Sequence, residues 1–337
     1  TGGAGFIGSN FIRYFLATCS DGAVLNLDDL TYAANLANLR EVESLPNYQF
    51  VRGDIGDAEL VRGVLDQRVD AVVHFAAESH VDRSIADAGR FVESNIVGTY
   101  TLLEAARRKG VGRFLHVSTD EVYGSLGPAE EADERAPLQP NSPYAASKAA
   151  SDLLVRSFWQ THRFPAIITR CSNNYGPYQF PEKLIPLMIT HALEGKKLPL
   201  YGDGLNERDW IFVEDHCRAL DRVLRDGRCG EVYNIGSGSP ITNLEIVRRL
   251  LRILGGSEDQ IEYVMDRPGH DRRYALDSRK VRQELNWEPS VGLAQGLERT
   301  VAWYRSHSDW VAKAKSGEYR TYYEKFYHNR RASLSQL

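Results

Sequence analysis

The chain has 337 residues, enough for one large domain or two, with the 42% hydrophobic and 26% charged content of a soluble globular protein. A net charge of −4 gives no reason to expect a nucleic-acid partner or an anionic membrane surface. The four cysteines (Cys19, Cys171, Cys217, Cys229) form no C-x-x-C pair, which argues against a metal site or a disulfide framework and suits a reducing cytoplasm. No apolar run reaches bilayer length, and no signal-peptide pattern opens the chain.

The sequence starts on Thr1-Gly2-Gly3 without an initiator methionine, so a few residues carrying a first strand are expected ahead of it. Gly2, Gly5 and Gly8 give G-x-x-G-x-x-G spacing and lead into a helix with Phe11, Ile12, Phe15 and Leu16 on one face. Glycines let the backbone come close to a pyrophosphate, and the helix start at Phe6-Ile7-Gly8 offers it oriented N–H groups. Residues 23–27 read as a strand, with Asp28 20 positions after Gly8. An acid there accepts from both adenosine ribose hydroxyls and repels a 2′-phosphate, which favours NAD over NADP. Asp28 or Asp29 also suits a cap on the following helix.

Residues 48–51 read as the next strand, with Asp54 and Ile55 placed to border adenine. Another strand, 71–75, runs into Ala76-Ala77-Glu78-Ser79-His80-Val81-Asp82-Arg83-Ser84. The small Ala76 and Ala77 permit close passage of a cofactor. His74 reads as a satisfied core histidine, whereas His80 lies in a polar loop within reach of substrate. The helix over about 91–108 carries Asn95 and Thr99 either inward or towards an interface, and periodicity leaves that choice open.

Residues 113–117 form a buried strand, so Ser118-Thr119-Asp120-Glu121-Val122-Tyr123-Gly124 emerges at its carboxyl end, where open α/β sheets place ligands. The acid- and proline-rich stretch that follows, to residue 141, reads as a solvated excursion or a lid. Asn141-Ser142-Pro143 is a helix start, with Ser142 as cap and Pro143 in the first position. Tyr144 and Lys148 then share one face, a turn apart. A free phenol titrates near ~10, and a neighbouring ammonium with a cationic nicotinamide ring would bring it towards ~7, about 4 kcal/mol of charge interaction. Y-x-x-x-K also arises by chance as a core tyrosine and a solvated lysine. Here it gains weight from Thr119, Asp120 and Glu121. Adjacent carboxyls in a cleft split into one charged and one neutral group and titrate as a pair. Neighbours on an extended chain point apart, so both acids reach one ligand only if the backbone bends after Thr119.

Residues 166–170 are a further buried strand. Beyond Cys171 come a polar, aromatic loop, a helix opened by Glu182-Lys183-Leu184, a turn over 199–204, a strand at 208–213, strand-plus-helix at 231–235 and 243–254, and two or three closing helices. Scattered arginine, lysine, asparagine and aromatic residues on these loops suit a phosphorylated ligand whose base can stack. Strand–helix alternation implies right-handed crossovers and a parallel sheet. The expected class is α/β: a Rossmann-type parallel sheet flanked by helices, with a smaller mixed α/β substrate-binding domain. The expected division is 1–171 for NAD and 172–337 for the substrate, with segments within 205–240 packing back on the first part.

The glycine turn, the tyrosine–lysine pair and this two-part layout resemble the extended short-chain dehydrogenases/reductases that act on nucleotide sugars. Leu27-Asp28-Asp29-Leu30-Thr31-Tyr32-Ala33, the Ala76–Ser84 run, Thr119-Asp120-Glu121, Arg208-Asp209-Trp210 and Arg267-Pro268-Gly269-His270-Asp271-Arg272-Arg273-Tyr274 are similar to the 4,6-dehydratases among them. Thr-Asp-Glu is the most specific of these, and Ala34 departs from an expected glycine. The resemblance implies dTDP-glucose as substrate and NAD as a cofactor reduced and reoxidised within one turnover. It assigns Tyr144 as base at the sugar 4-hydroxyl, Thr119 as a second partner of that oxygen, and Lys148 as the group that binds the nicotinamide ribose and lowers the phenol, with Thr99 and Tyr144 also counted among the cofactor-binding residues. Glu121 would act as base at C5 and Asp120 as acid at the 6-hydroxyl. It also implies Ser79 and His80 at the sugar, Asn173, Lys183, Arg208, Asn243, Arg267 and His270 at the sugar and diphosphate, and Tyr201 at the base, with Leu184, Pro199 and Tyr274 in the same pocket. A homodimer would form through the helices carrying 95–107 and 144–159. The alternatives are a UDP-glucose 4,6-dehydratase, a 4-epimerase, or a non-catalytic NAD-binding sensor on the same fold.

Overall fold

The computed structural model of the protein describes residues 1–316, and the remainder of the second expected domain lies outside the described residues. Parallel strands dominate the first half. Val24–Asp28 pairs with Tyr48–Arg52, and a second sheet runs in the order Val232–Ile235, Ala166–Cys171, Arg113–Thr119, Ala71–His74. Thr1 and Gly2 join the two sheets. The Thr1 amino group donates to the Val73 carbonyl (2.9 Å), Phe75 N–H to the Thr1 carbonyl (3.1 Å), and Gly2 N–H to the Leu27 carbonyl (2.9 Å).

All six residues of Ala166–Cys171 are buried, as a strand covered on both faces must be. One face is covered by Phe6–Thr18 and Val213–Asp226, through Phe11, Val213, Leu220 and Val223. The other carries Ala58–Leu65, Thr99–Lys109 and Pro143–His162, through Val61, Leu102, Val155 and Phe158.

In the second half, Asn173–Tyr175 pairs with Trp210–Phe212, Glu207–Arg208 with Ile241–Thr242, and Leu198–Tyr201 with Ile261–Val264. Helices Leu184–Leu193, Asn243–Leu254 and Leu293–Ser306 pack on these pairs through Ile185, Ile246, Leu250 and Leu297. The turn expected over 199–204 is therefore partly strand. Leu198 and Leu200 are buried against the 261–264 partner, and the reversal is confined to Gly202 (φ 56°) and Gly204 (φ 71°). The loop expected after Cys171 likewise supplies a strand.

The stretch between Gly124 and Asn141 is a surface excursion, with Glu130, Glu131 and Asp133 exposed, and it is tied down at several points. Ala132 is 2% exposed and donates to the Ala275 carbonyl (2.9 Å), Glu134 accepts from Asn234 N–H (2.9 Å), and Gln139 donates to the Val122 carbonyl (3.0 Å). The helix expected over 91–108 is interrupted by a π-helical segment, Val92–Gly98. That wider turn points Asn95 inward, where its amide bonds Glu78 N–H (2.8 Å), the Glu78 carbonyl (2.9 Å) and Ser147 Oγ (2.8 Å).

Candidate active site

At the first glycine turn the chain has no room for side chains. A Cβ on Gly2 would stand 2.5 Å from Ala76 N, and one on Gly8 2.4 Å from the Gly2 carbonyl oxygen. Helix Phe6–Thr18 begins at Gly5 with no side-chain cap, so its first N–H groups call for an outside acceptor. Gly2, Gly5, Phe6, Ile7, Gly8, Asp28, Asp54, Ile55, Ala76 and Ala77 line one continuous cleft. Asp28 also anchors the turn, accepting from Ala4 N–H through Oδ2 (2.8 Å) and from Leu30 N–H through Oδ1 (2.8 Å). It does not cap the following helix; Asn35 does, accepting from Ala37 N–H (3.0 Å). An uncapped helix start, a close-approach turn and an acid at the next strand end together fit a dinucleotide.

Thr99 departs from this group. Its hydroxyl donates to the Asn95 carbonyl (2.6 Å) and meets His74 Nε2 (2.9 Å), one layer behind the cleft wall. His74 is 1% exposed and also contacts Thr1 Oγ1 (2.9 Å); burial keeps it neutral, as expected of a core histidine.

Strand Arg113–Thr119 runs two residues beyond its expected end and passes directly into a 3₁₀ turn, Asp120–Tyr123. Thr119 Oγ1 caps that turn by accepting from Glu121 N–H (3.3 Å). This is the bend the acid pair requires, and Thr119, Asp120, Glu121, Tyr144 and Lys148 all line the cleft. Ser142 Oγ accepts from Ala145 N–H (3.1 Å) and Pro143 opens the helix, which sets Tyr144 at its first turn.

The electrostatics differ among these groups. Burial, then the charge of Glu121, pushes Asp120 well above the carboxylate range, and its buried Oδ2 has no hydrogen-bond partner. Burial also raises Glu121, but Arg267, Lys183 and Arg208 oppose that shift. The proton therefore belongs on Asp120 and the charge on Glu121. Lys148 donates to the Val117 carbonyl (2.8 Å), and burial holds its ammonium down to about 8, against the pull of Asp152. Lysine was expected to lower the phenol of Tyr144. Within the chain alone, burial and the charge of Glu121 raise it well above 10, while a hydrogen bond with Thr119 pulls the other way.

A second cavity shares Glu121, Asn173 and Lys183 with the first and is walled by His80, Leu184, Pro199, Tyr201, Arg208, Asn243, Arg267 and His270. Ser79 lies on the first cavity, where its carbonyl accepts from Lys183 Nζ (2.9 Å). Lys183, Arg208 and Arg267 gathered in one pocket match the charge of a diphosphate. Arg208 donates to the Asp271 carbonyl (2.8 Å) and stacks 4.1 Å over the Tyr274 ring. Tyr274 is thus a support beneath Arg208 and not part of either wall. Asp271 is the hub here, its carboxylate accepting from Asn141 Nδ2 (2.6 Å) and Tyr274 OH (2.6 Å). Tyr201 OH donates to Asp82 Oδ2 (3.0 Å), with Arg267 4.0 Å from Asp82 Oδ1. The buried Oδ1 atoms of Asn173 and Asn243 have no hydrogen-bond partner, as expected of groups that face a ligand.

Sequence reasoning passed over Tyr32, Asp82, Phe180 and Glu182. Asp82 stands inside a run already singled out, and Glu182 adjoins Lys183, so an acid next to a pocket lysine was the available signal.

The profile of the GDP-mannose 4,6 dehydratase family matches residues 1–300, and the chain belongs to that family, within the extended short-chain dehydrogenases/reductases. Among curated relatives, a dTDP-glucose 4,6-dehydratase of Streptomyces niveus is 52% identical over 325 residues, covering 95% of this chain and 96% of its own. That of Escherichia coli is 48% identical and covers 98% of each chain. Among solved structures, the dTDP-glucose 4,6-dehydratase of Streptomyces venezuelae, crystallised with NAD, superposes with a TM-score of 0.91 at 54% identity, over 93% of this chain and 98% of the other. The UDP-glucose 4-epimerase of Thermus thermophilus, also with NAD, gives 0.84 at 31% identity, over 91% and 98%.

Proposed function

We propose that the protein is an NAD-dependent lyase that converts dTDP-glucose to dTDP-4-keto-6-deoxyglucose. The observation that carries this reading is the acid pair: Asp120 lines the cofactor cleft and is pushed well up by burial and by Glu121, while Glu121 lines both cavities with Arg267, Lys183 and Arg208 opposing its rise. Gly2, Gly5, Phe6, Ile7, Gly8, Asp28, Asp54, Ile55, Ala76 and Ala77 hold NAD, which accepts hydride from C4 and gives it back at C6. Tyr144, paired with Thr119, takes the proton of the 4-hydroxyl, and Lys148, one turn along the same helix, supplies positive charge to the site. The 4-ketone acidifies C5, whose proton goes to Glu121. Asp120 donates its own proton to the departing 6-hydroxyl, so water leaves and a C5=C6 bond forms. After hydride return to C6, Glu121 hands its proton back to C5.

Asn173, Lys183, Arg208, Asn243, Arg267 and His270 hold the diphosphate and sugar, Tyr201 meets the base, and Ser79 and His80 border the sugar. In this reading residues 1–171 with Val232–Ile235 bind the cofactor, and the later segments bind the nucleotide sugar. Val92 (47% exposed), Val97 (50%), Tyr100 (50%) and Leu153 (55%) on the 92–109 and 143–162 helices form the dimer face. Four unpaired cysteines suit a cytoplasmic setting.

Incubation of the protein with dTDP-glucose or UDP-glucose tests the reading. The dehydratase accumulates 4-keto-6-deoxy sugar with no net NADH, and prefers the thymidine nucleotide. A galacto product would indicate an epimerase, and no product from either sugar would leave a sensor.

A further inference from the structure

We infer that Tyr32 and Glu182 form a clasp across the cofactor cleft that retains NAD between hydride removal at C4 and hydride return at C6. The inference rests on the dehydratase reading and adds residues to it. The segment after strand Val24–Asp28 is fixed at both ends. Leu30 N–H donates to Asp28 Oδ1 (2.8 Å), and Asn35 N–H to the Ala4 carbonyl (3.0 Å). Between those anchors Thr31, Ala33 and Ala34 line the cleft. Phe180, Glu182 and Lys183, from the second half, line the same cleft from the facing side.

Tyr32 joins the two sides. Its hydroxyl donates to Glu182 Oε1 (3.1 Å), and Glu182 is only 3% exposed. The Arg83 guanidinium carbon stands 3.5 Å from the centre of the Tyr32 ring, with Nε 3.7 Å from Glu182 Oε2. The Phe180 ring meets Tyr32 edge-on, with centroids 5.8 Å apart. Two segments distant in sequence from Tyr32, at Arg83 and at residues 180–182, thus converge on one phenol. The site chemistry gives this a purpose. Hydride leaves one carbon of the sugar and arrives at another, so loss of the cofactor between the two events aborts the turnover. A bridge spanning the wall keeps the cofactor in place without touching the reacting atoms.

The test uses the holoenzyme and needs no substrate. Labelled NAD is bound, the protein is diluted into excess unlabelled NAD, and the dissociation rate is followed for wild type, Tyr32→Phe, Glu182→Gln and the double variant. Tyr32→Phe keeps the ring contacts and removes only the hydroxyl. Burial raises Glu182 to about 7, so the bond is scaled as one to a largely uncharged acceptor, and dissociation is expected about 3- to 10-fold faster in each single variant, with a double variant no faster than either. A Tyr32→Phe rate within about twofold of wild type overturns the clasp. A wild-type protein that holds no NAD overturns the dehydratase reading, and the clasp with it.

Discussion

Asp152→Asn probes the charge on Lys148. Burial holds the ammonium down to about 8, and Asp152 is the largest influence raising it. The two residues are one helical turn apart in Pro143–His162, and both are buried. Unit charges ~6 Å apart at an effective dielectric near 20 interact by about 2.8 kcal/mol, worth roughly two pK units. In the variant Lys148 therefore titrates near ~6 and is mostly neutral at pH 7.5. The charged lysine is the active form, so activity is lost as pH rises through its pKa. The alkaline limb of kcat should move from near 8 in the wild type to near ~6. Arg170 Nε, 2.8 Å from Asp152 Oδ2, and His116 Nε2, 3.4 Å from Oδ1, lose the same partner. Stranding the buried guanidinium costs about 3–5 kcal/mol. The profile is accordingly measured with circular dichroism on the same samples, alongside an Asp152→Asn/Arg170→Met variant that recovers stability and keeps the displaced limb. A folded Asp152→Asn protein whose limb stays within about half a unit of wild type refutes the coupling.

Asp120→Asn should leave C4 oxidation nearly intact and slow water loss by about 10²- to 10⁴-fold, because only the elimination step needs its proton. Single-turnover measurement of NADH and keto-sugar separates the two, and equal loss of both would remove Asp120 from its role. Arg208→Ala should raise KM for dTDP-glucose about 10- to 100-fold, with a smaller change in kcat, if its guanidinium grips the ligand's diphosphate as proposed. An unchanged KM would take Arg208 out of the site. Tyr100→Asp places a charge at the centre of the proposed dimer face and should shift sedimentation from dimer to monomer; a persisting dimer would place the interface elsewhere.

The parts of the fold legible in the sequence were those governed by local rules. Buried strands such as Ala166–Cys171 open on apolar runs (Ala166-Ile167-Ile168), and the Ser142-Pro143 start follows capping preferences. The segment Leu198–Tyr201 carried a proline and ran into two glycines, so its residues spelled a turn. Only its distant partner Ile261–Val264 makes it a strand. The loop before Asn141 was legible as a surface stretch from its acids, but the contacts that tie it down come from residues about 100 or more positions away, such as Asn234 and Leu276. Within the site, the glycine turn and the acid pair announced themselves, whereas Tyr32 did not. Its importance depends on Arg83, Phe180 and Glu182 converging on it, which no spacing rule encodes.

The Asp271 carboxylate grips Asn141, one residue ahead of the Ser142 cap, and a Cβ on Gly269 would stand 2.8 Å from the Asn141 carbonyl oxygen. The stretch bearing Arg267 and His270 is thereby moored to the root of the helix that carries Tyr144. Reach from phosphate anchor to proton-moving phenol becomes a preset length, and the pocket works as a gauge. If Arg267 anchors the phosphates as proposed, a sugar on a shorter linker would present a different carbon to Tyr144.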